Sequence, residues 1–347
     1  MMDRKEMIMA AGAAGNDTGV SLSENASAIA TTGGRVVDTH HHLMSPTFAA
    51  KKGSTLRAGA GSFTELSWSP EQSLEVMDDA GVTRAILSLW SGSWFGDPAE
   101  ARSLAREVNE FAADAVRKHP KRFGFFATIP LPDTEGSLAE IAYALDVLKA
   151  DGVVLTTSYD KRYLGDKDFA PVYEELNRRG AVVYLHPTTC VCDRHVKELP
   201  NELLEYLFDT TRTIFSLLLS GTLARTRNIK WLFSHGGGTL PMVAGRLCRY
   251  AESLPEIAAV APEGPMNELQ RLYYDTANVT HAPSLPGVRA MVPPSQILFG
   301  SDYPYVPIAP QLERLRDAGL DPAELAQILC QNADRLMPDP AGVTPPR

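Results

Sequence analysis

From residue 35 onward, short apolar runs alternate with longer amphipathic stretches. The runs fall at 35–40 (RVVDTH), 84–90, 123–130, 152–158, 181–187, 229–235, 272–277 and 297–302. Most are apolar almost without interruption, which is the pattern of strands covered on both faces of a parallel sheet. Between them lie segments with helical spacing at 69–81, 98–120, 135–152, 170–179, 202–224, 240–254, 286–292 and 321–337. The first opens on Ser69 as cap with Pro70 in its first turn and closes at Gly81; the last is capped by Asp321. Eight strands alternating with eight helices predict an α/β protein, a (β/α)8 TIM barrel over 35–337. The same alternation also fits an open doubly wound sheet. No Gly-rich phosphate fingerprint follows the first strand, which disfavours the nucleotide-binding version of that sheet.

The flanks and one insert stand outside this beat. Residues 1–34, rich in Ser, Thr, Asn, Gly and Ala, are expected to be a disordered extension, and 338–347 a flexible tail. Arg4-Lys5, a short apolar stretch and Ala26-Ser27-Ala28 also resemble a degenerate twin-arginine export signal. We expect a cytoplasmic protein, with export as the alternative. The insert 43–69, between the first strand and its helix, makes a long β1–α1 loop that would serve either as a lid over the barrel mouth or as a surface excursion.

Composition narrows the partners. The 347 residues are 44% hydrophobic and 22% charged, with a formal net charge of −9. No Lys/Arg run forms a phosphate-tracking stripe, so nucleic acid is excluded as a partner. No apolar run approaches the ~18–20 residues that span a bilayer, so no membrane partner is expected. Cys190, Cys192, Cys248 and Cys330 are scattered, form no CxxC pair and read as reduced thiols. A small molecule remains.

The chemistry gathers where strands end, at the face on which barrels of this kind carry their active sites. Strand one ends in Asp38-Thr39-His40-His41-His42, three of the eight histidines of the chain; strand five ends in His186, strand six in His235 and strand eight in Asp302. Side chains two apart on a strand point the same way, so His40 and His42 face the axis and His41 faces the helices or a loop. With His186 and Asp302 they compose a site for one divalent metal, Zn²⁺ by preference, with Mn²⁺ among the alternatives. His235, followed by three glycines, is placed to move protons, or else to support a ligand from behind. Asp275 could stand behind the ligands, and Trp90, after strand two, either stacks on a flat substrate or packs in the core.

The segments DTHHH (38–42), LHPTT (185–189), SHGGGTLPMVAGR (234–246) and FGSDYPY (299–305), in this order, resemble the amidohydrolase superfamily. The branch is that of aminocarboxymuconate-semialdehyde decarboxylase and the aromatic-acid decarboxylases of the 6-methylsalicylate and γ-resorcylate types. The likeness covers roughly 35–337. It implies an amidohydrolase-type barrel, a mononuclear zinc-type site with His40, His42, His186 and Asp302 as ligands, and His235 as the proton-handling residue. It also implies a homodimer or higher homo-oligomer in which Arg246 reaches a substrate carboxylate across the interface; a salt-bridged helix position is the plainer account of Arg246. Arg57, in the long loop, could be a second carboxylate clamp, although the resemblance aligns no family residue with it. Binuclear members carry a carboxylated lysine near strand four. Here that strand reads GVVLTTSY, which favours one metal.

The activity so implied is non-oxidative loss of CO₂ from an aromatic, hydroxybenzoate-like or dienoic acid, a carboxy-lyase reaction. The metal holds and orients the substrate, and Asp302, or a metal-held water worked by His235, supplies the proton. The same groups would also serve a lactonase, amidohydrolase or hydratase acting on a ring-cleavage intermediate. Arg246 on the departing carboxylate separates the two readings.

Overall fold

The apolar runs become strands because each places alternate side chains in the barrel interior and against the helices. The computed structural model describes residues 34–52, 68–188, 191, 196 and 199–337. Its barrel strands are β1 (Val37–His42), β2 (Arg84–Ser88), β3 (Phe123–Thr128), β4 (Gly152–Thr156), β5 (Val182–His186), β6 (Lys230–Phe233), β7 (Tyr273–Asp275) and β8 (Ile297–Leu298). They pair in sequence order, each neighbour parallel. The ring closes between its last and first members. The Thr39 N–H donates to Phe299 O at 2.9 Å, Asp302 N–H to His40 O at 2.8 Å and His42 N–H to Tyr303 O at 2.7 Å. This is a (β/α)8 barrel.

The interior is filled by Val37, Ile86, Phe126, Val154, Val182, Tyr184, Leu232 and Leu298, with the half-buried Tyr273 of β7 packed against them. The outward residues of the same strands pack with the helices in a second, larger apolar cluster. Helices form at Pro70–Ala80, Pro98–Lys118, Thr134–Ala142, Ala170–Arg179, Glu205–Leu219, Leu240–Ala251, Leu285–Met291, Ile308–Arg316 and, in three joined pieces, Pro322–Leu336. Ser69, Asp97, Asp133 and Asp321 cap theirs through side-chain oxygens, as the sequence pattern asks. No helix among the described residues is long and apolar enough to cross a membrane.

Several elements differ from the pattern-based expectation. β1 runs two residues past its apolar run, to His42, because Ser88 of β2 still pairs with His42; the extra length is taken up by a bulge between Asp38 and His41. β8 stops at Leu298 instead of 302, since Phe299 to Tyr303 turn to bond with β1. The expected helix 202–224 breaks at Gly221, and 135–152 continues past Ala142 as a wider turn over Tyr143–Val147. The helix Ile308–Arg316 is not among those the spacing predicts, its pattern masked by Pro304, Pro307 and Pro310. The insert 43–69 begins with a helix, Pro46–Lys52, and its residues 53–67, Arg57 among them, lie outside the described residues. So do 1–33, 338–347, Cys190, Cys192 and His195. Cys248 and Cys330 are free thiols.

Candidate metal centre and active site

The end of β1 is fully buried, and its alternation divides the histidine triplet. His41 turns outward: Nδ1 lies 3.0 Å from Asp38 Oδ2 and Nε2 lies 3.0 Å from Ser73 Oγ on the first barrel helix. His40 and His42 turn inward until their Nε2 atoms stand 3.1 Å apart. The His186 ring, from β5, closes on both at 5.1 and 4.7 Å between centroids. Asp302 brings Oδ1 to 3.2 Å from His40 Nε2 and 3.1 Å from His42 Nε2. One ligand atom from each of these four residues lies within 4.8 Å of the others.

The partners on the far side of each ring fix what faces the centre. His42 Nδ1 meets Ser88 O at 3.2 Å; His186 Nδ1 meets Trp90 O at 3.0 Å and Pro187 O at 2.8 Å. A carbonyl oxygen only accepts, so both rings carry hydrogen on Nδ1 and point a lone pair inward from Nε2. His40 Nδ1 donates to Asp275 Oδ2 at 2.8 Å, an oxygen that also accepts from Tyr184 Oη at 3.1 Å. Asp275 Oδ1 takes the His235 N–H at 2.8 Å and the Ala277 N–H at 3.0 Å. One buried carboxylate thus aligns a ligand histidine and the backbone of His235 together.

The electrostatics are those of a cation site. Burial lowers the pKa of His42 and, further, of His186, where the neighbouring histidines add to it. Burial opposes charge on His40 too, but Asp275 and Asp302 outweigh it and push the ring up to about 10. Burial raises Asp302, yet the charge of His40 and hydrogen bonds from His235, His40 and His42 hold its carboxyl well below the usual range. Three inward Nε2 atoms and an anionic oxygen therefore converge with at most one proton among them, the one on His40 Nε2. Nitrogen and carboxylate donors in this number fit a divalent cation such as Zn²⁺, Mn²⁺, Fe²⁺ or Co²⁺.

His235 sits just beyond the four. It follows Ser234 with φ +53°, in a turn where Gly236, Gly237 and Gly238 also have positive φ. Gly238 cannot be replaced cheaply, because a Cβ there would sit 2.1 Å from the Leu207 carbonyl oxygen. Nε2 of His235 lies 3.3 Å from Asp302 Oδ2, and its buried Nδ1 has no hydrogen-bond partner among the described residues. Above the cluster, Trp90 lies 5.9 Å from the His42 ring, 5.3 Å from Tyr305 and 5.2 Å from Phe48, while Tyr206 faces His186 at 6.2 Å. Trp90 is 8% exposed, and its carbonyl is one of the two that orient His186.

Arg246 is placed elsewhere. It lies exposed on the 240–251 helix with its guanidinium 5.4 Å from the Tyr250 ring, lining a groove of about 540 Å³ with Phe208, Phe215 and Val243. His281 is exposed after β7. Tyr184, Asn278, Tyr206 and Tyr305 were not singled out from sequence. Alternation reaches Tyr184, two residues before His186 and so on its face of β5. The other three stand in turns or on a helix, where no simple period points inward.

A family model described as amidohydrolase matches residues 37–338. This chain belongs to the amidohydrolase family. It is 38% identical over 290 residues to decarboxylase macB of Penicillium terrestre, covering 78% of this chain and 85% of that one. It is 38% identical over 286 residues to the 6-methylsalicylic acid decarboxylase acuB of Aspergillus aculeatus, covering 78% and 84%. The crystal structure of dihydroxybenzoic acid decarboxylase from Polaromonas sp. JS666, with bound manganese and the inhibitor 2-nitroresorcinol, superposes with a TM-score of 0.76 over 87% of this chain and 96% of that one, at 20% identity. At that identity the likeness concerns the barrel.

Proposed function

We propose that this amidohydrolase is a metal-dependent, non-oxidative carboxy-lyase acting on an aromatic acid of the hydroxybenzoate type. The observation that carries the reading is the division of Asp302, with Oδ1 toward the three inward imidazoles and Oδ2 beside His235 Nε2. The carboxylate thereby joins a cation site to a proton-handling histidine. Likeness to the 6-methylsalicylic acid decarboxylase of Aspergillus aculeatus supports the substrate class.

His40, His42, His186 and Asp302 would hold the ion, Zn²⁺ first and Mn²⁺ second. When bound, it supplies a fixed positive charge that orients the acid and stabilises negative charge developing on its oxygens. The protein's own groups handle the proton. The reaction adds H⁺ to the ring carbon that bears the carboxylate; the C–C bond then breaks, its electron pair restores the aromatic ring, and CO₂ leaves. His235 Nε2 and Asp302 Oδ2 form the pair that delivers that proton. Trp90, Phe48 and Tyr305 wall the site with aromatic surface, which aligns a flat ring and keeps water from it.

Arg246 would grip the carboxylate of a substrate bound in a second copy. Exposed apolar side chains that line the same groove, Leu219 at 47% and Leu254 at 42% among them, support a homo-oligomer built on it.

Incubating the metal-loaded protein with hydroxybenzoates and with aromatic lactones separates the chemistries. The proposal expects CO₂ and the corresponding phenol from an ortho-hydroxy acid. Lactone hydrolysis without CO₂ release from any acid would overturn it. Mixing inactive Arg246→Ala with inactive His235→Ala should restore part of the activity, and no restoration would remove Arg246 from the neighbouring site.

A further inference from the structure

The two oxygens of Asp302 serve different neighbours. Oδ1 faces His40 and His42; Oδ2 accepts from Asn278 Nδ2 at 2.8 Å and lies 3.3 Å from His235 Nε2. A carboxylate oxygen has about two lone-pair directions, and these two partners occupy both on Oδ2. We infer that Asn278 is a positioning residue that restricts Asp302 to one-oxygen contact with the cation and keeps Oδ2 turned to His235. The inference rests on Asp302 being a ligand, as proposed above.

The fold is built to deliver this amide. Asn278 has φ +58°, in the turn that leaves β7, and asparagine is one of the few residues other than glycine that take this conformation readily. Its N–H donates to Gln311 Oε1 at 2.9 Å, and Gln311 Nε2 donates in turn to the carbonyl of Ser301, the residue before Asp302. Gln311 is 1% exposed, on the Ile308–Arg316 helix. One buried side chain therefore ties the turn that carries Asn278 to the turn that carries Asp302. Asn278 itself is exposed at the mouth, so core packing does not account for an amide there.

The test compares Asn278→Gly with Asn278→Asp. The glycine removes the amide at no cost to the left-handed backbone; the aspartate keeps the shape and sets an acceptor against Oδ2. Metal-stripped protein is loaded with Co²⁺, whose visible spectrum reports the number of donor atoms. Asn278→Gly should still take up Co²⁺ but with weaker, shifted bands, as Asp302 swings to offer both oxygens. Its kcat should fall about 10- to 100-fold, the range for partners of metal ligands, with KM within about threefold of the unsubstituted value. Asn278→Asp should fall further. An unchanged spectrum and kcat in Asn278→Gly would overturn the inference. So would a loss of thermal stability shared by both variants with the Co²⁺ spectrum unchanged, which would mark a purely structural amide. If the unsubstituted protein takes up no Co²⁺, the metal-site reading itself falls and this inference with it.

Discussion

His40 Nδ1 donates to Asp275 Oδ2 across 2.8 Å, with both side chains fully buried. The contact joins the first and seventh strands at the top of the barrel and fixes which nitrogen of His40 faces the ion. Asp275→Asn keeps the size of the group but removes the charge that favours Nδ1–H. Metal affinity should fall about 10- to 100-fold while the fold persists. Competition with a chelator measures it, and affinity equal to the unsubstituted protein would show that Asp275 does not align this ligand.

The metal-free site should hold a proton where the ion will sit. His40 is raised to about 10 by its two carboxylates, whereas His42 and His186 are lowered and remain neutral. Near pH 8, ion binding should therefore release about one proton, from His40 Nε2. Titration calorimetry in two buffers of different ionisation enthalpy gives the number; none, or three, would contradict this charge distribution. The sign for stability follows from the same values. The raised His40 stabilises the metal-free protein below its unfolded pKa near 6.5, and that contribution disappears as pH rises through about 10. Bound metal should flatten that loss.

Gly300 is a steric requirement of the site. A Cβ there would lie 2.7 Å from His40 Cβ and 3.0 Å from Asp275 Cβ, atoms too near the backbone to swing aside. Gly300→Ala should cost about 1–3 kcal/mol of stability through overpacking. It should also weaken metal binding, because the residues pushed are a ligand and its partner. A thermal melt and a metal titration check both; unchanged values in the two would show that the strands yield without moving the site.

The sequence carried the ligand set because three of its four members obey simple alternation. His40, His42 and His186 sit on strands, where a period of two says which way each points. Asp302 was legible only as the end of an apolar run. In the structure it stands in a left-handed turn at φ +68°, four residues beyond the end of β8. Asn278 was out of reach for the same reason: its turn breaks the period, and only Gln311, from a helix hidden among prolines, brings it to Asp302. Arg246 shows a different limit. The resemblance assigns it to a carboxylate, but within one chain it lies on an outer groove, so its role depends on a second copy.

His235 can be separated from the ligands by substitution. Its Nε2 touches Asp302 Oδ2, not the oxygen turned to His40 and His42. His235→Ala should keep its metal and lose about 10²- to 10⁴-fold in kcat, the range for a positioned proton donor. Metal analysis beside a CO₂-release assay reads both, and a metal-free variant would make His235 a ligand.

The central claim is one divalent ion, held by His40, His42, His186 and Asp302, that is required for loss of CO₂ from an aromatic acid. The most direct measurement is metal content per chain together with CO₂ release before chelation, after it and after adding Zn²⁺ or Mn²⁺ back. The account predicts about one ion per chain, as a mononuclear site requires, with release abolished by the chelator and restored by the metal. Release that survives complete removal of metal would contradict it.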